Sequence, residues 1–162
     1  MKELLDKISS YNIFNNLLSG VLFVFIAKHI TIYNFVQSDI VLGIALYYFV
    51  GLIISRFGSL VVEKTLEKIK FIQYSKYEDY IVAHQKDTKI DVLLESNNMY
   101  RTLCSMGILL LILKVYEFLS IKFCFYDSVA QIILIALLVI LFLFSFRKQT
   151  NYIKKRVNKA LQ

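Results

Sequence analysis

The sequence predicts an all-α integral membrane protein, a four-helix bundle with a helical cytoplasmic extension. The first observation is composition, since 57% of the 162 residues are hydrophobic and only 19% are charged, with a mean hydropathy of +0.59. A typical soluble domain is about 45–50% apolar and about 25% charged. The second is the lack of proline and the presence of only five glycines, which disfavour turn-rich β folds. The third is the clustering of apolar residues into four runs.

These four apolar runs are close to the length, roughly 20 residues, that a helix needs to cross a bilayer. In the first run the longest unbroken part, residues 17–27, is short, so an interfacial segment is the alternative there. The predicted spans are residues 13–35, 40–62, 103–121 and 129–146.

The basic residues predict how the spans are oriented. If both termini are cytoplasmic, 16 of the 19 lysines and arginines lie on the cytoplasmic side. Cytoplasmic loops of membrane proteins carry this kind of positive excess. We therefore expect a multi-pass protein of the cell inner membrane with cytoplasmic N- and C-termini.

The connection between the second and third spans, residues 63–102, is long and patterned, and we call it the stalk. Apolar residues recur at helical spacing from Val62 to Ile72. This spacing predicts one helix from Asp39 to about Tyr74. Such a helix would be roughly 54 Å long and would extend well beyond the bilayer core.

Aromatic side chains are frequent in the stalk. One interpretation is that they pack the stalk's own core, because buried aromatics contribute a large contact area. The alternative is a docking face for a cytosolic protein or another protomer, since tyrosine and arginine are enriched at interfaces. The residues expected in that interface are Tyr77, Tyr80, Asn97, Asn98, Tyr100 and Arg101.

Ionisable residues also occur inside the predicted spans. Lys114 and Glu117 are three residues apart, so they share a helix face and can pair. Lys28 and His29 occupy a similar depth in the first span. Charges at such depth usually face a bundle interior or a wet cavity, which predicts a polar cavity or pore lining. The alternative is one structural ion pair, with the remaining side chains reaching the interface.

Small residues repeat every four positions along the second span, at Gly51, Ser55 and Ser59. A stripe of this kind lets two helix backbones approach closely. The contact is either internal or between protomers, and we expect a homo-oligomer because four spans leave little room for a pathway in one chain.

The final segment, residues 147–162, is called the tail and has no acidic residue. Its composition predicts a basic helix against the anionic cytoplasmic leaflet, with a purely topogenic role as the alternative. Nucleic-acid binding is a rival that we do not favour. The expected lipid contacts are Arg147, Lys148, Lys154, Lys155, Arg156 and Lys159.

Residues with catalytic potential are few. The two histidines, His29 and His84, are far apart in the sequence. Cys104 and Cys124 stand about 30 Å apart if the intervening residues are helical, too far for a disulfide within one chain. No glycine-rich phosphate loop or cluster with metal-ligand spacing occurs in the sequence. The sequence therefore predicts neither an enzyme nor a cofactor.

The segment Asp91–Thr102, DVLLESNNMYRT, directly precedes the third span. It resembles a stretch found in small bacterial four-helix inner-membrane proteins of anti-phage defence modules, such as the membrane subunit of Kiwa-type systems. The resemblance covers these dozen residues and the overall layout. It implies an inner-membrane sensor or effector that works with a cytosolic protein.

Three functional hypotheses remain open from the sequence. The first is an oligomeric inner-membrane sensor or membrane-perturbing effector of anti-phage defence, coupled to a cytosolic partner through the stalk. The second is a small transporter or ion channel with Lys114 and Glu117 in its pathway. The third is a structural membrane anchor for a cytosolic protein.

Overall fold

The computed structural model describes residues 2–87, 89–123 and 127–161. In these ranges the regular elements are all helical, and four helical stretches are long and apolar enough to cross a membrane. This confirms the predicted all-α class with its four apolar helices. The elements are α1 (Lys2–Ile30), α2 (Ile40–Phe57), a π-helical turn (Gly58–Val62), α3 (Glu63–Lys68), α4 (Tyr77–Lys86), α5 (Lys89–Phe123) and α6 (Asp127–Ala160).

Helix α1 ends at Ile30, five residues before the boundary expected for the first span. The hydroxyl of Thr31 donates to the carbonyl of Ala27 over 2.8 Å, and the Thr31 amide donates to the same oxygen. These bonds close the last turn, and the β-branched residues Thr31 and Ile32 disfavour further helix. The chain then crosses to α2, where the Asp39 carboxylate accepts the Leu42 amide over 2.9 Å as an N-cap.

Helix α2 passes without a break through the π turn into α3. In the π turn the Glu63 amide donates to the carbonyl of Gly58, five residues back. Because a π turn holds more residues than an α turn, the residues that follow are rotated about the helix axis. Glu63 is the first of these rotated residues.

The predicted continuation of this helix to Tyr74 is wrong, because α3 ends at Lys68. Lys70 adopts a left-handed conformation with φ of 60°. Its amide donates to the carbonyl of Glu67, and the Phe71 amide donates to the carbonyl of Leu66. This is the Schellman arrangement that terminates helices, with lysine at a position that glycine usually occupies. The stalk is therefore interrupted: residues 69–76 are not helical and α4 is separate.

The described residues form two units that divide after Glu117. In the first unit, large apolar side chains point outward; Phe14, Phe25 and Leu111 are each more than half exposed. Small and polar side chains occupy much of the interior. An apolar outside around a polar inside suits a lipid environment, since lipid covers apolar surface that water would not.

The second unit contains the end of α5 and the whole of α6. Between Val129 and Phe146 the side chains of α6 are almost all apolar, and Ser145 hydrogen-bonds the carbonyl of Leu141 in its own helix. The helix continues through the tail to Ala160 without interruption.

Candidate functional site

A layer of buried polar side chains joins α1 to α5. The amide of Asn15 donates to the hydroxyl of Thr102 over 3.1 Å, and that hydroxyl donates to the carbonyl of Asn98 over 2.8 Å. The Ser105 hydroxyl donates to the carbonyl of Arg101 over 2.6 Å. Polar groups that hydrogen-bond between helices hold a membrane bundle together where the hydrophobic effect cannot. The polar residues buried in the first unit are Asn15, Asn16, Ser19, Ser59, Thr102, Ser105 and Glu117.

The crossing of α1 and α2 depends on two glycines. A Cβ atom on Gly51 would overlap the carbonyl oxygen of Asn16, and one on Gly20 would overlap the carbonyl oxygen of Tyr47. Backbone touches backbone here, so only glycine fits. Gly51, the first residue of the predicted packing stripe, therefore makes its contact within the chain.

The other stripe residues differ in burial. Ser59 is buried and Ser55 is half-buried. Gly58 lies in the same part of the chain but is not a member of the predicted stripe. A Cβ on Gly58 would press against the Ser105 hydroxyl, so this glycine brings the π turn against α5.

An ion pair at the other end of the bundle joins α5 to the loop after α1. The Lys114 ammonium lies 2.6 Å from the Glu117 carboxylate, which also accepts the Ile32 amide over 3.0 Å. Glu117 is buried, whereas the Lys114 side chain is 55% exposed. Tyr33 and Tyr116 stack beside this pair with ring centroids 6.1 Å apart.

The four ionisable residues expected to line a cavity do not share one environment. Lys28 and His29 are exposed in the last turn of α1, and the His29 ring bonds the carbonyl of Phe25 over 2.7 Å. Glu117 is buried, and its carboxylate contacts two groups, the Ile32 amide and the Lys114 ammonium. The structure thus brings Lys114 and Glu117 together and leaves Lys28 and His29 on the exposed side of their helix.

Two contacts near the start of the third span join the earlier part of the stalk, residues 63–76, to α5. The Arg101 guanidinium pairs with the Glu63 carboxylate, and both side chains are mostly buried. The Asn97 amide donates to the Tyr74 hydroxyl over 3.0 Å. Glu63 was missed in the sequence because its role depends on the rotation that the π turn imposes. We call these two contacts the joint.

A third contact links α4 to α5. The His84 ring lies 2.9 Å from the Asp91 carboxylate, and the Tyr80 ring stacks on His84 with centroids 5.9 Å apart. Tyr80 is half-buried, so its ring packs within the stalk, in line with the first interpretation of the stalk aromatics, that they pack the stalk's own core. The side chain of Tyr77 lies outside the described residues.

Other stalk aromatics remain exposed. Tyr100 is 67% exposed and Phe71 is 75% exposed. Asn98, which belongs to the expected interface set, is instead half-buried, and its backbone carbonyl accepts the Thr102 hydroxyl. Tyr100 belongs to the interface set expected from the sequence, and Phe71 does not. Phe71 follows the left-handed Lys70, which turns the chain away from the axis of α3.

The tail residues expected to contact lipid lie on one continuous helix with the fourth span. The Lys148 ammonium lies 5.8 Å from the ring centroid of Tyr152, a cation–π distance. Lys159 falls where side chains are not described. The remaining four, all exposed, are Arg147, Lys154, Lys155 and Arg156.

Among the described residues, no three His, Cys, Asp or Glu side chains are grouped so that they could hold a metal ion. Cys104 is exposed on α5, and Cys124 lies outside the described residues. Comparison of the chain with known protein families, with curated proteins and with solved structures found no match.

Proposed function

We propose that this chain is an oligomeric inner-membrane sensor or membrane-perturbing effector of bacterial anti-phage defence, coupled to a cytosolic protein through its stalk. The stalk and both termini are cytoplasmic in this proposal, as the distribution of basic residues favours. The tail then lies beside the anionic leaflet, where each basic residue contributes on the order of 1 kcal/mol of attraction.

The observation that carries the proposal is the joint. Glu63 continues the helix of the second span, and Arg101 lies just before the third span on α5. A displacement of α4 would act on α5 through the His84–Asp91 contact, and a displacement of α5 would act on the second span through Glu63. Coupling of this kind travels through packed and hydrogen-bonded elements, which the stalk supplies.

The defence assignment is supported by the segment 91–102, whose sequence resembles that of defence-associated membrane proteins. In the structure this short segment belongs to α5 and provides the α5 side of the three contacts with residues 63–86 of the stalk. Asp91 meets His84, Asn97 meets Tyr74, and Arg101 meets Glu63. Three of the residues that carry the resemblance therefore join the earlier part of the stalk to α5.

Transport is the weaker candidate. In a transporter or channel, Glu117 would bind the transported substrate or ion. A buried carboxylate inside a span usually marks such a transport pathway. Here the carboxylate already accepts the Ile32 amide and pairs with Lys114, so its bonds serve the packing of the bundle. An anchor without signalling remains an outcome of the experiment below.

The experiment is co-purification of cytosolic proteins with the full chain, extracted from bacterial membranes after mild crosslinking. The test variant is Phe71→Ala/Tyr100→Ala, because both rings are exposed. Truncating an aromatic side chain at the centre of an interface to alanine often weakens binding by about 2 kcal/mol or more, which is roughly thirtyfold in affinity. The matched control is Lys76→Ala/Lys86→Ala, which removes two exposed stalk residues of the kind depleted at interface centres.

We expect one or more cytosolic proteins to be retained by the wild type and the control and lost from the aromatic variant. Protection of cells against phage should fall in parallel. Retention of all partners by the aromatic variant would contradict a docking role for these rings. Partner binding without any effect on phage growth would favour the anchor.

A further inference from the structure

The π turn lies between two contacts with α5. Before the turn, a Cβ atom on Gly58 would lie 2.5 Å from the Ser105 hydroxyl oxygen, so the backbone is close against α5 there. After the turn, the Glu63 carboxylate pairs with the Arg101 guanidinium. Five residue steps therefore separate the two contacts along the second span, from 58 to 63, whereas four separate them along α5, from 105 to 101.

This difference of one residue explains why the turn is π-helical. Four residues of an α-helix rotate by about 400°, close to one full turn, but five rotate by about 500°. In a regular α-helix Gly58 and Glu63 would point about 140° apart, and only one of them could face α5. The π turn, in which the Glu63 amide donates to the Gly58 carbonyl, brings both onto the side that faces α5.

The same segment in a regular α-helix would place a different side chain opposite Arg101. Val62 would occupy the position that Glu63 now holds, and Glu63 would be turned about 100° further around the axis. The Arg101 side chain is only 20% exposed, and its Nε–H finds no acceptor among the described residues. Because valine cannot balance a buried guanidinium, the ion pair holds the turn in its π form.

The chain that follows α3 depends on the same rotation. The Phe71 amide donates to the carbonyl of Leu66, which fixes this part of the chain to the end of α3. Three residues later the Tyr74 hydroxyl accepts the Asn97 amide over 3.0 Å. A rotation of α3 would therefore break both contacts of the joint together, and orientations between the two registers would keep neither contact.

We propose that the π turn is a rotary switch, which converts to regular α-helix when Arg101 leaves Glu63 and so turns α3 by about 100° relative to α5. The switch rests on the proposed function, in which the joint couples the stalk to the membrane helices. By linkage, a ligand that moves Arg101 turns α3, and one that turns α3 releases Arg101. Phe71 moves with α3 whereas Tyr100 stays on α5, so a partner that contacts both exposed rings binds only one of the two states.

The switch is tested by crosslinking the full chain in isolated membranes with a short bifunctional thiol reagent. In a Cys104→Ser/Cys124→Ser background, Arg101→Cys is combined with either Val62→Cys or Glu63→Cys. Breaking a buried ion pair shifts an equilibrium by more than roughly tenfold, so loss of the Arg101 cation should convert the turn. We expect Val62→Cys to crosslink to position 101 with at least about tenfold higher yield than Glu63→Cys.

The matched control is the same two variants with Val61 deleted. Val61 is 44% exposed, and its removal leaves a regular α-helix in which Glu63 comes four residues after Gly58 and faces position 101. The preference should then be reversed, with the higher yield for Glu63→Cys. A preference for Glu63→Cys in the chain that retains Val61 would overturn the switch, because the π turn would persist without its ion pair. Equal yields or no crosslink in that chain would also overturn it.

A second measurement leaves Arg101 in place. Deletion of Val61 alone should keep the pair with Glu63 and the cytosolic partner but hold α3 in one orientation, so protection against phage should be lost. Full protection by this variant would contradict the switch. Failure of the wild type to retain any cytosolic protein would refute the docking role of the stalk instead, because the crosslinking yields require no partner.

Discussion

At the scale of single residues, the interior of this protein is unusual for its polarity. Asn15, Thr102 and Ser105 are buried among membrane-length helices and hydrogen-bonded. In lipid the apolar side chains gain little from leaving their surroundings, so close packing and interhelical hydrogen bonds decide which helices associate. The outward position of Phe14 and Leu111 has the same cause.

Close packing at Gly51 gives the first prediction. Gly51→Ala should destabilise the protein by about 1–3 kcal/mol, because the added methyl overlaps the Asn16 backbone and the helices must separate. The measurement is thermal unfolding in detergent micelles. Gly107→Ala is the matched control, since a Cβ there meets nothing within 4 Å, and it should be neutral or stabilising by up to about 1 kcal/mol. Equal losses in the two variants would contradict the assigned crossing.

The hydrogen bond between Asn15 and Thr102 gives the second prediction. A double-mutant cycle with Asn15→Leu and Thr102→Val should yield a coupling free energy of about 0.6 kcal/mol, and at most roughly 1.7 kcal/mol, as for other interhelical bonds in membranes. Chemical unfolding in mixed micelles gives the free energies of unfolding of the wild type, the two single variants and the double variant. Strictly additive single effects would mean that the two side chains do not interact.

At the scale of elements, the structure departs from sequence expectation where a helix ends. Apolar spacing from Val62 to Ile72 predicted continuous helix, but Lys70 turns left-handed and α3 stops at Lys68. Such ends are usually recognised by glycine, and here lysine occupies the position. Asp39, by contrast, was correctly expected at the start of α2, because its carboxylate caps the helix directly.

The unusual conformation of Lys70 gives the third prediction. Lys70→Gly should stabilise the stalk by about 1 kcal/mol, because a left-handed residue with a side chain costs roughly 1–2 kcal/mol that glycine avoids. Hydrogen exchange of the α3 amides in micelles should slow accordingly. Lys64→Gly places glycine inside the helix and should destabilise the stalk by about 0.5–1 kcal/mol. Faster exchange in Lys70→Gly would contradict the terminating role.

At the scale of the whole molecule, composition and periodicity identified the fold class because four long apolar helices dominate the chain. The details of the candidate site were less accessible. The Lys114–Glu117 pair was found, since its members are neighbours on one helix. The pairing of Arg101 with Glu63, 38 residues apart, was not, because it depends on the π turn and on the tertiary approach of α5.

The proposed function places both the stalk and the tail on the cytoplasmic side of a four-span protein. The most direct measurement is a set of paired alkaline phosphatase and green fluorescent protein fusions after residues 37, 80 and 162, expressed in a bacterial host. Phosphatase is active only in the periplasm and the fluorescent protein only in the cytoplasm. We expect phosphatase activity at 37 and fluorescence at 80 and 162, whereas phosphatase activity at 80 or 162 would contradict this orientation.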